Sequence, residues 1–242
     1  ATNDGGIGLA QALGYKFYDP ADTLLDIHKN GLMPVARVDA SNRMKQLDDV
    51  RIIAACDVET RLCGKEGASA VFGPQKGATP QTVQQLDNIL QSLATTVKRD
   101  LHFDMQSLRG GGAAGGLGAG LAAFCGAKLQ NGIELVLDAC QFDEKLTNCD
   151  LVITGEGMTD EQTLMGKVPV GIGRRAAKKE VPVICLSGGL GPGYQQVKEA
   201  GVTALFSVIP RPAALEEAMG RAAEWIEEAT AEAIALWNAA RK

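Results

Sequence analysis

Two histidines, His28 and His102, are all that this chain of 242 residues contains. They form no metal-binding pair and belong to no Ser-His-Asp order, so a triad hydrolase and a histidine-based metal centre are excluded. Each reads as a surface or core residue rather than a base. The six cysteines, Cys56, Cys63, Cys125, Cys140, Cys149 and Cys185, show neither C-x-x-C nor zinc-ligand spacing. Several sit in apolar runs, and they read as buried reduced thiols. No apolar run approaches the roughly 20 residues that span a bilayer, and no charged leader with an apolar core precedes Asn3. The expected compartment is the cytoplasm. Basic residues are scattered under a net charge of −5, which argues against a nucleic-acid stripe. The one basic cluster, Arg174, Arg175, Lys178 and Lys179, reads as the solvated C-terminal end of a helix. Neither Gly64-Lys65 nor Gly166-Lys167 is followed by Ser or Thr, so a Walker A loop is absent.

What is present is an α/β pattern. With 45% hydrophobic residues the chain can bury a sizeable core as one large domain or two small ones. The first half predicts a helix over Ile7 to Leu13, capped by Asn3 or Asp4 and stopped at Gly14. A strand starting at Phe17, a short helix over Asp22 to Lys29, and strands at Val35 to Val38 and Arg51 to Cys56 follow. Thr79-Pro80 opens a long helix to about Lys98. The glycine-rich stretch from Gly110 becomes helical over Leu117 to Leu129. Beyond Asp150 the pattern turns regular. Strands at Leu151 to Thr154, Val183 to Leu186 and Ala204 to Val208 alternate with helices near Val170 to Lys179 and Tyr194 to Glu199, and a last helix runs from Ala214 to Ala239. Such alternation implies a parallel Rossmann- or flavodoxin-like sheet with helices on both faces. The expected division is 1–128 and 129–242, two α/β domains.

Chemistry is expected beyond the carboxyl ends of strands. After Leu151–Ile153 the stretch Thr154 to Gly157 reads as a turn whose glycines, Gly155 and Gly157, let a ligand approach the backbone. Glu156, Asp160, Gln162, Thr163 and Lys167 follow. Asp160 either caps the next helix through Thr163 or Leu164, or holds Mg²⁺ or a substrate hydroxyl, with Glu156 as a second metal ligand. In the first half, Asp57 lies at a strand end, and Gly73, Pro74 and Gly77 hold a turn around Lys76. Asn3 and Asp4 read either as helix caps or as part of an anion-binding helix start. Gly110, Gly112 and Gly115 match G-x-G-x-x-G, but HFDMQSLR before them is no strand, which makes a dinucleotide fingerprint weak. The glycines, Gly111, Gly112, Gly115 and Gly116 among them, either offer N–H groups to a phosphate or permit close helix packing. Ser187, Gly188 and Gly189 either present donors to a ligand or make a βα turn.

Four stretches also carry a resemblance. TGEGMTDEQTLMGKVPVG (Thr154 to Gly171) and CDVETRLCGKEGASAVFGPQKGA (Cys56 to Ala78) resemble signatures of the type 1 glycerate kinases, and so do GGGAAGGLGAGLAAF (Gly110 to Phe124) and the opening ATNDGGIGLAQALG. The resemblance spans essentially the whole chain. It also implies a further segment before ATNDGG, so that the chain is expected to be a piece or processed form of a longer polypeptide.

That resemblance implies a two-domain fold with a cleft between domains and an ATP-dependent kinase forming phosphoglycerate from D-glycerate, with ATP and Mg²⁺ bound. Asp160, or Asp57, would orient or deprotonate the attacking hydroxyl, and Lys167 with Lys76 would balance charge. A homodimer is compatible with it; nucleic-acid and membrane partners are not expected. Two alternatives stand beside the kinase. One is a binding half that holds ligand without turnover, the other a nicotinamide-dependent hydroxy-acid oxidoreductase.

Overall fold

The computed structural model describes residues 2–26 and 31–241, and the chain divides into two compact units, Ala1–Gln130 and Asn131–Lys242.

In the first unit, helix α1 (Ile7–Ala12) leads into a three-stranded antiparallel sheet of order β2-β1-β3, with β1 Lys16–Tyr18, β2 Leu24–Leu25 and β3 Arg37–Asp39. The helix expected over Asp22 to Lys29 is not what Leu24 and Leu25 form. They pair with Tyr18 and Phe17, and their exposures of 53% and 6% alternate as a strand requires. Residues 27–30, with His28, lie outside the described residues. A second pair, β4 (Ile53–Ala55) and β5 (Lys128–Gln130), runs parallel with Ile53 opposite Lys128.

Among the described residues of this unit, three more α-helices follow: α2 (Ala68–Phe72), α3 (Pro80–Asp100) and α4 (Ala113–Cys125). As the sequence predicts, α3 starts at Thr79, whose hydroxyl accepts from the Thr82 N–H at 3.2 Å, with Pro80 in the first turn. Its inner face, with Leu90, Leu93 and Val97, is fully buried beside Phe17 and Phe124. Phe124 meets Phe17 edge-on at 5.6 Å between ring centres. Helix α4 stops at Cys125, short of the expected Leu129, because Gly126 turns left-handed (φ 64°) and returns the chain into β5.

Glycine lets α4 approach the chain start at backbone distance. A Cβ on Gly6 would lie 2.9 Å from the Gly120 Cα, and one on Gly120 would lie 2.5 Å from the Gly5 oxygen. Within α4, Ala114, Gly115 and Gly116 are left-handed, with φ of 51°, 71° and 90°. This kink lets the Gly115 oxygen accept from the Gly5 N–H at 3.1 Å.

The second unit holds a parallel sheet of order β6-β7-β8 (Val152–Thr159, Val183–Leu190, Ala204–Ser207). Around it lie α5 (Gly132–Ala139), α6 (Phe142–Lys145), α7 (Val168–Ala177), α8 (Leu215–Gly220) and α9 (Ala222–Ala240). The central strand β7 faces two ways. Val183 and Cys185 pack with Val170 and Ala176 of α7, while Ile184 and Leu186 pack with Ala233 and Ala229 of α9. Helices therefore cover both faces, as the β-loop-α alternation implies. The single last helix expected from Ala214 breaks at Gly220 and Arg221, and Tyr194–Ala200 is a 3₁₀ segment rather than an α-helix.

Arg175 departs from the solvated role expected for it. Its guanidinium is 12% exposed and pairs with Glu134, Asp138 and Asp143, which holds its pKa well above the ordinary arginine value. This network ties α7 to α5 and α6.

Glycine at position 120 is expected to be far less replaceable than at 126, where nothing lies within 4 Å of an added Cβ. In urea unfolding, Gly120→Ala should cost about 2–3 kcal/mol from overpacking. Gly126→Ala should cost only about 1 kcal/mol of left-handed strain. Equal losses would contradict the close approach.

Candidate functional site

Strand β6 does not end where its apolar residues end. The segment Thr154 to Gly157, expected as a turn, continues in register with β7 as far as Thr159 opposite Leu190. The reason lies on the neighbouring strand, where Ser187, Gly188 and Gly189 are likewise inside β7 and not in a βα turn. A Cβ on Gly188 would lie 2.7 Å from the Gly157 oxygen. Glycine against glycine lets both strands run on. Gly155 and Gly157 are thus ladder residues, and the Gly157 N–H is taken by the Glu156 carboxylate at 3.1 Å.

The turn follows at Asp160. Its Oδ1 accepts from the N–H groups of Gln162 (3.0 Å) and Thr163 (3.2 Å), while the Thr163 hydroxyl accepts from the Asp160 N–H at 3.1 Å. This reciprocal capping box starts the 3₁₀ segment Glu161–Met165, which realises the capping alternative read from the sequence. Only Oδ1 takes part, and among the described residues no hydrogen bond reaches Oδ2. Thr163 is fully buried; its side chain serves the cap and is not available as a ligand contact, whereas Gln162 is exposed. The turn is also pinned to the loop after β7 by Gly191 N–H to Thr159 O at 2.8 Å and Glu161 N–H to Pro192 O at 3.1 Å.

Lys167 sits at the N-cap of α7, where its carbonyl accepts from Val170 and Gly171 and Pro169 occupies the first turn. Among the described residues no carboxylate is ion-paired to its ammonium. Behind the turn lies a buried contact that sequence reasoning missed. The hydroxyls of Thr159 and Ser187 meet at 2.7 Å, both fully buried, and burial pushes the nearby Cys185 thiol upward. A threonine just before Asp160 was the only available signal, and its partner, Ser187, is 28 residues away.

The first unit gathers part of its predicted set. Asn3, Lys76 and Gly115 line one hollow of about 570 Å³ together with Phe72 and Leu86. The Asn3 amide donates to the Ser69 hydroxyl at 3.0 Å. Lys76 lies on the Pro74–Lys76 turn closed by Gly77 at φ 87°, the tight turn expected for GPQKGA. Asp4 instead caps its own helix, accepting from the N–H groups of Gly6 (3.1 Å) and Gly8 (2.9 Å). That carboxylate occupies the helix start that had been the alternative anion site. The oligoglycine donors are used as well. Gly111, Gly112 and Gly116 give their N–H groups to the carbonyls of Leu108, Thr60 and Gly112, so packing, not phosphate contact, explains these three. No strand precedes the run, which removes the support for a dinucleotide fingerprint. Asp57 follows β4 in an exposed segment and does not line the hollow around Lys76.

Among the described residues no three His, Cys, Asp or Glu side chains are grouped to hold a metal ion. The six cysteines are unbridged, but only Cys125 and Cys185 are buried; the other four are half-buried. Burial, with Asp87 nearby, pushes the Cys63 thiol up to about 12. No described helix is long and apolar enough to cross a membrane.

The model of the glycerate kinase family matches residues 1–238. The chain is 43% identical over 240 residues to a glycerate kinase of Halalkalibacterium halodurans, covering 98% of this chain and 63% of that protein. It is 44% identical over 218 residues to the glycerate 2-kinase of Escherichia coli K12, covering 90% and 57%. A crystal structure of a protein assigned as glycerate kinase 2 in Salmonella typhimurium LT2 superposes with a TM-score of 0.82 at 45% identity, over 99% of this chain and 62% of that one. The chain thus spans less than two thirds of the length of these relatives.

The capping geometry makes Asp160→Ala and Asp160→Asn separable. Alanine should lower stability by about 1 kcal/mol through loss of the cap, and asparagine should retain it. Thermal unfolding of both variants measures this, and equal destabilisation would contradict the role of Oδ1 alone.

Proposed function

The chain belongs to the glycerate kinase family, and on that premise we propose that the protein transfers the terminal phosphoryl group of ATP to a hydroxyl of D-glycerate, in the cytoplasm. The observation that carries this reading is the Asp160 carboxylate. One oxygen is anchored by two backbone amides and the other takes no hydrogen bond from any described residue, so the group is held at a fixed angle yet can still accept a proton or a hydrogen bond.

Phosphoryl transfer demands little covalent chemistry from a protein; it demands alignment and neutralisation of negative charge. Oδ2 of Asp160 would accept a hydrogen bond from the attacking glycerate hydroxyl and orient its lone pair. Asp57 is the alternative acid for that role. Lys167 would supply positive charge from the start of α7, where the helix dipole has the same sign. The two therefore reinforce each other toward a phosphoryl group.

The donor set also suits Mg²⁺. Glu156 offers a hard carboxylate oxygen, and Asp160 would offer Oδ2 where Asp57 rather than Asp160 takes the hydroxyl; Mg²⁺ commonly takes one or two carboxylates while its other positions go to water and substrate phosphates. One carboxylate without further protein ligands is consistent with that habit. When bound, the ion would draw negative charge from the donor phosphates. Glu156, whose Oε1 is held by the Gly157 N–H, would contribute its second oxygen.

Asp160→Asn keeps the cap and removes the charge, so it is expected to lower kcat with glycerate and ATP by about 10²–10³-fold at nearly unchanged melting temperature. Lys167→Ala should lower kcat by a similar order, about 10²-fold. Full turnover in both variants would remove these roles. A ligand-induced thermal shift in the unaltered protein without ADP release would favour a binding protein over a kinase.

A further inference from the structure

Of the hollows in this molecule, the one lined by Asn3, Phe72, Lys76, Ala78 and Leu86 has a composition that the phosphoryl-transfer reading leaves unexplained. Every carbon of glycerate carries oxygen, and an aliphatic and aromatic wall would leave those oxygens without partners. A flat heteroaromatic base has the opposite needs: an apolar surface for its faces and a few polar groups for its edge.

We propose that this hollow receives the adenine ring of the nucleotide, stacked on Phe72, with Lys76 at the start of the phosphate chain. The inference rests on the kinase reading for the identity of the nucleotide. Four observations support it. The volume, about 570 Å³, falls within the range of roughly 300–1,000 Å³ usual for small-molecule sites. The Phe72 ring is half-buried, and the Lys76 ammonium lies 5.8 Å from its centre, near enough to turn from the ring to an anion beside it. The Asn3 amide is oriented by its bond to the fully buried side of α2 at Ser69, which leaves its carbonyl oxygen as an acceptor for an exocyclic amine. Finally, Gly73 and Gly77, which hold the turn around Lys76, also line the hollow, so the cation and the apolar wall belong to one local structure.

The test uses the natural polypeptide carrying Phe72→Trp, read by fluorescence above the background of Trp225 and Trp237. ADP is expected to quench the added emission, while pyrophosphate and D-glycerate leave it unchanged. Quenching by pyrophosphate equal to that by ADP, or by glycerate alone, would overturn the proposal, and so would no response to ADP. A second arm measures steady-state constants. Phe72→Leu keeps an apolar filling but removes the stacking face, and should raise KM for ATP about tenfold with KM for glycerate unchanged, while Phe72→Tyr restores the wild-type value. A merely structural role would move both KM values together and shift the melting temperature. If the unaltered protein makes no ADP with glycerate, the kinase reading fails. The quenching arm then still decides whether the hollow binds a purine nucleotide.

Discussion

The contact between the glycines at the chain start and those of α4 is the constraint on which the first unit depends. Gly6 and Gly120 approach so closely that a single methyl group on either would meet main-chain atoms, and the left-handed run Ala114–Gly116 bends the helix so that Gly115 can accept from Gly5. The N–H groups of Gly111, Gly112 and Gly116 are consumed in holding that shape. A stretch with seven glycines from Gly110 to Gly120 would be a poor helix on propensity alone. Here helicity is surrendered for backbone packing, and the same packing sets Asn3 and Gly115 on the wall of the hollow around Lys76.

In the second unit the comparable constraint is the parallel glycine pair of β6 and β7. Because Gly157 and Gly188 meet without side chains, β6 extends past its apolar core and delivers Asp160 beyond the sheet. The fully buried Thr159–Ser187 hydroxyl pair then fastens that extension. Asp160 is held by one oxygen, and Lys167 is set down at the head of α7 after a short 3₁₀ segment. A carboxylate placed by a backbone cap, not by long flexible neighbours, is pre-oriented at little entropic cost on ligand binding.

Much of this was legible in the residues, and what was not had identifiable causes. The Thr79-Pro80 helix start, the parallel strands with helices on both faces and the Asp160 cap depend on neighbours within a few positions, and local pattern reveals them. Leu24–Leu25 becomes a strand only because Phe17 lies opposite, and two residues are too few for a period. Thr154 to Gly157 reads as a turn because glycine more often marks a turn than a ladder, and only the glycines of β7 reverse that expectation. Arg175 appears solvated in a basic cluster, yet its three carboxylates lie 32 to 41 residues earlier, on helices whose packing no local window contains. The oligoglycine stretch allowed both donors and packing from sequence. Hydrogen-bond accounting at Gly111, Gly112 and Gly116 favours packing.

The central claim, that a phosphoryl group passes from ATP to a glycerate hydroxyl, is tested most directly by phosphorus NMR of the natural polypeptide with ATP, Mg²⁺ and D-glycerate. The account predicts a new phosphomonoester resonance that grows in step with ADP, its proton splitting showing whether a primary or a secondary alcohol was phosphorylated. Appearance of ADP with inorganic phosphate alone, or ATP unconsumed in the presence of glycerate, would contradict it.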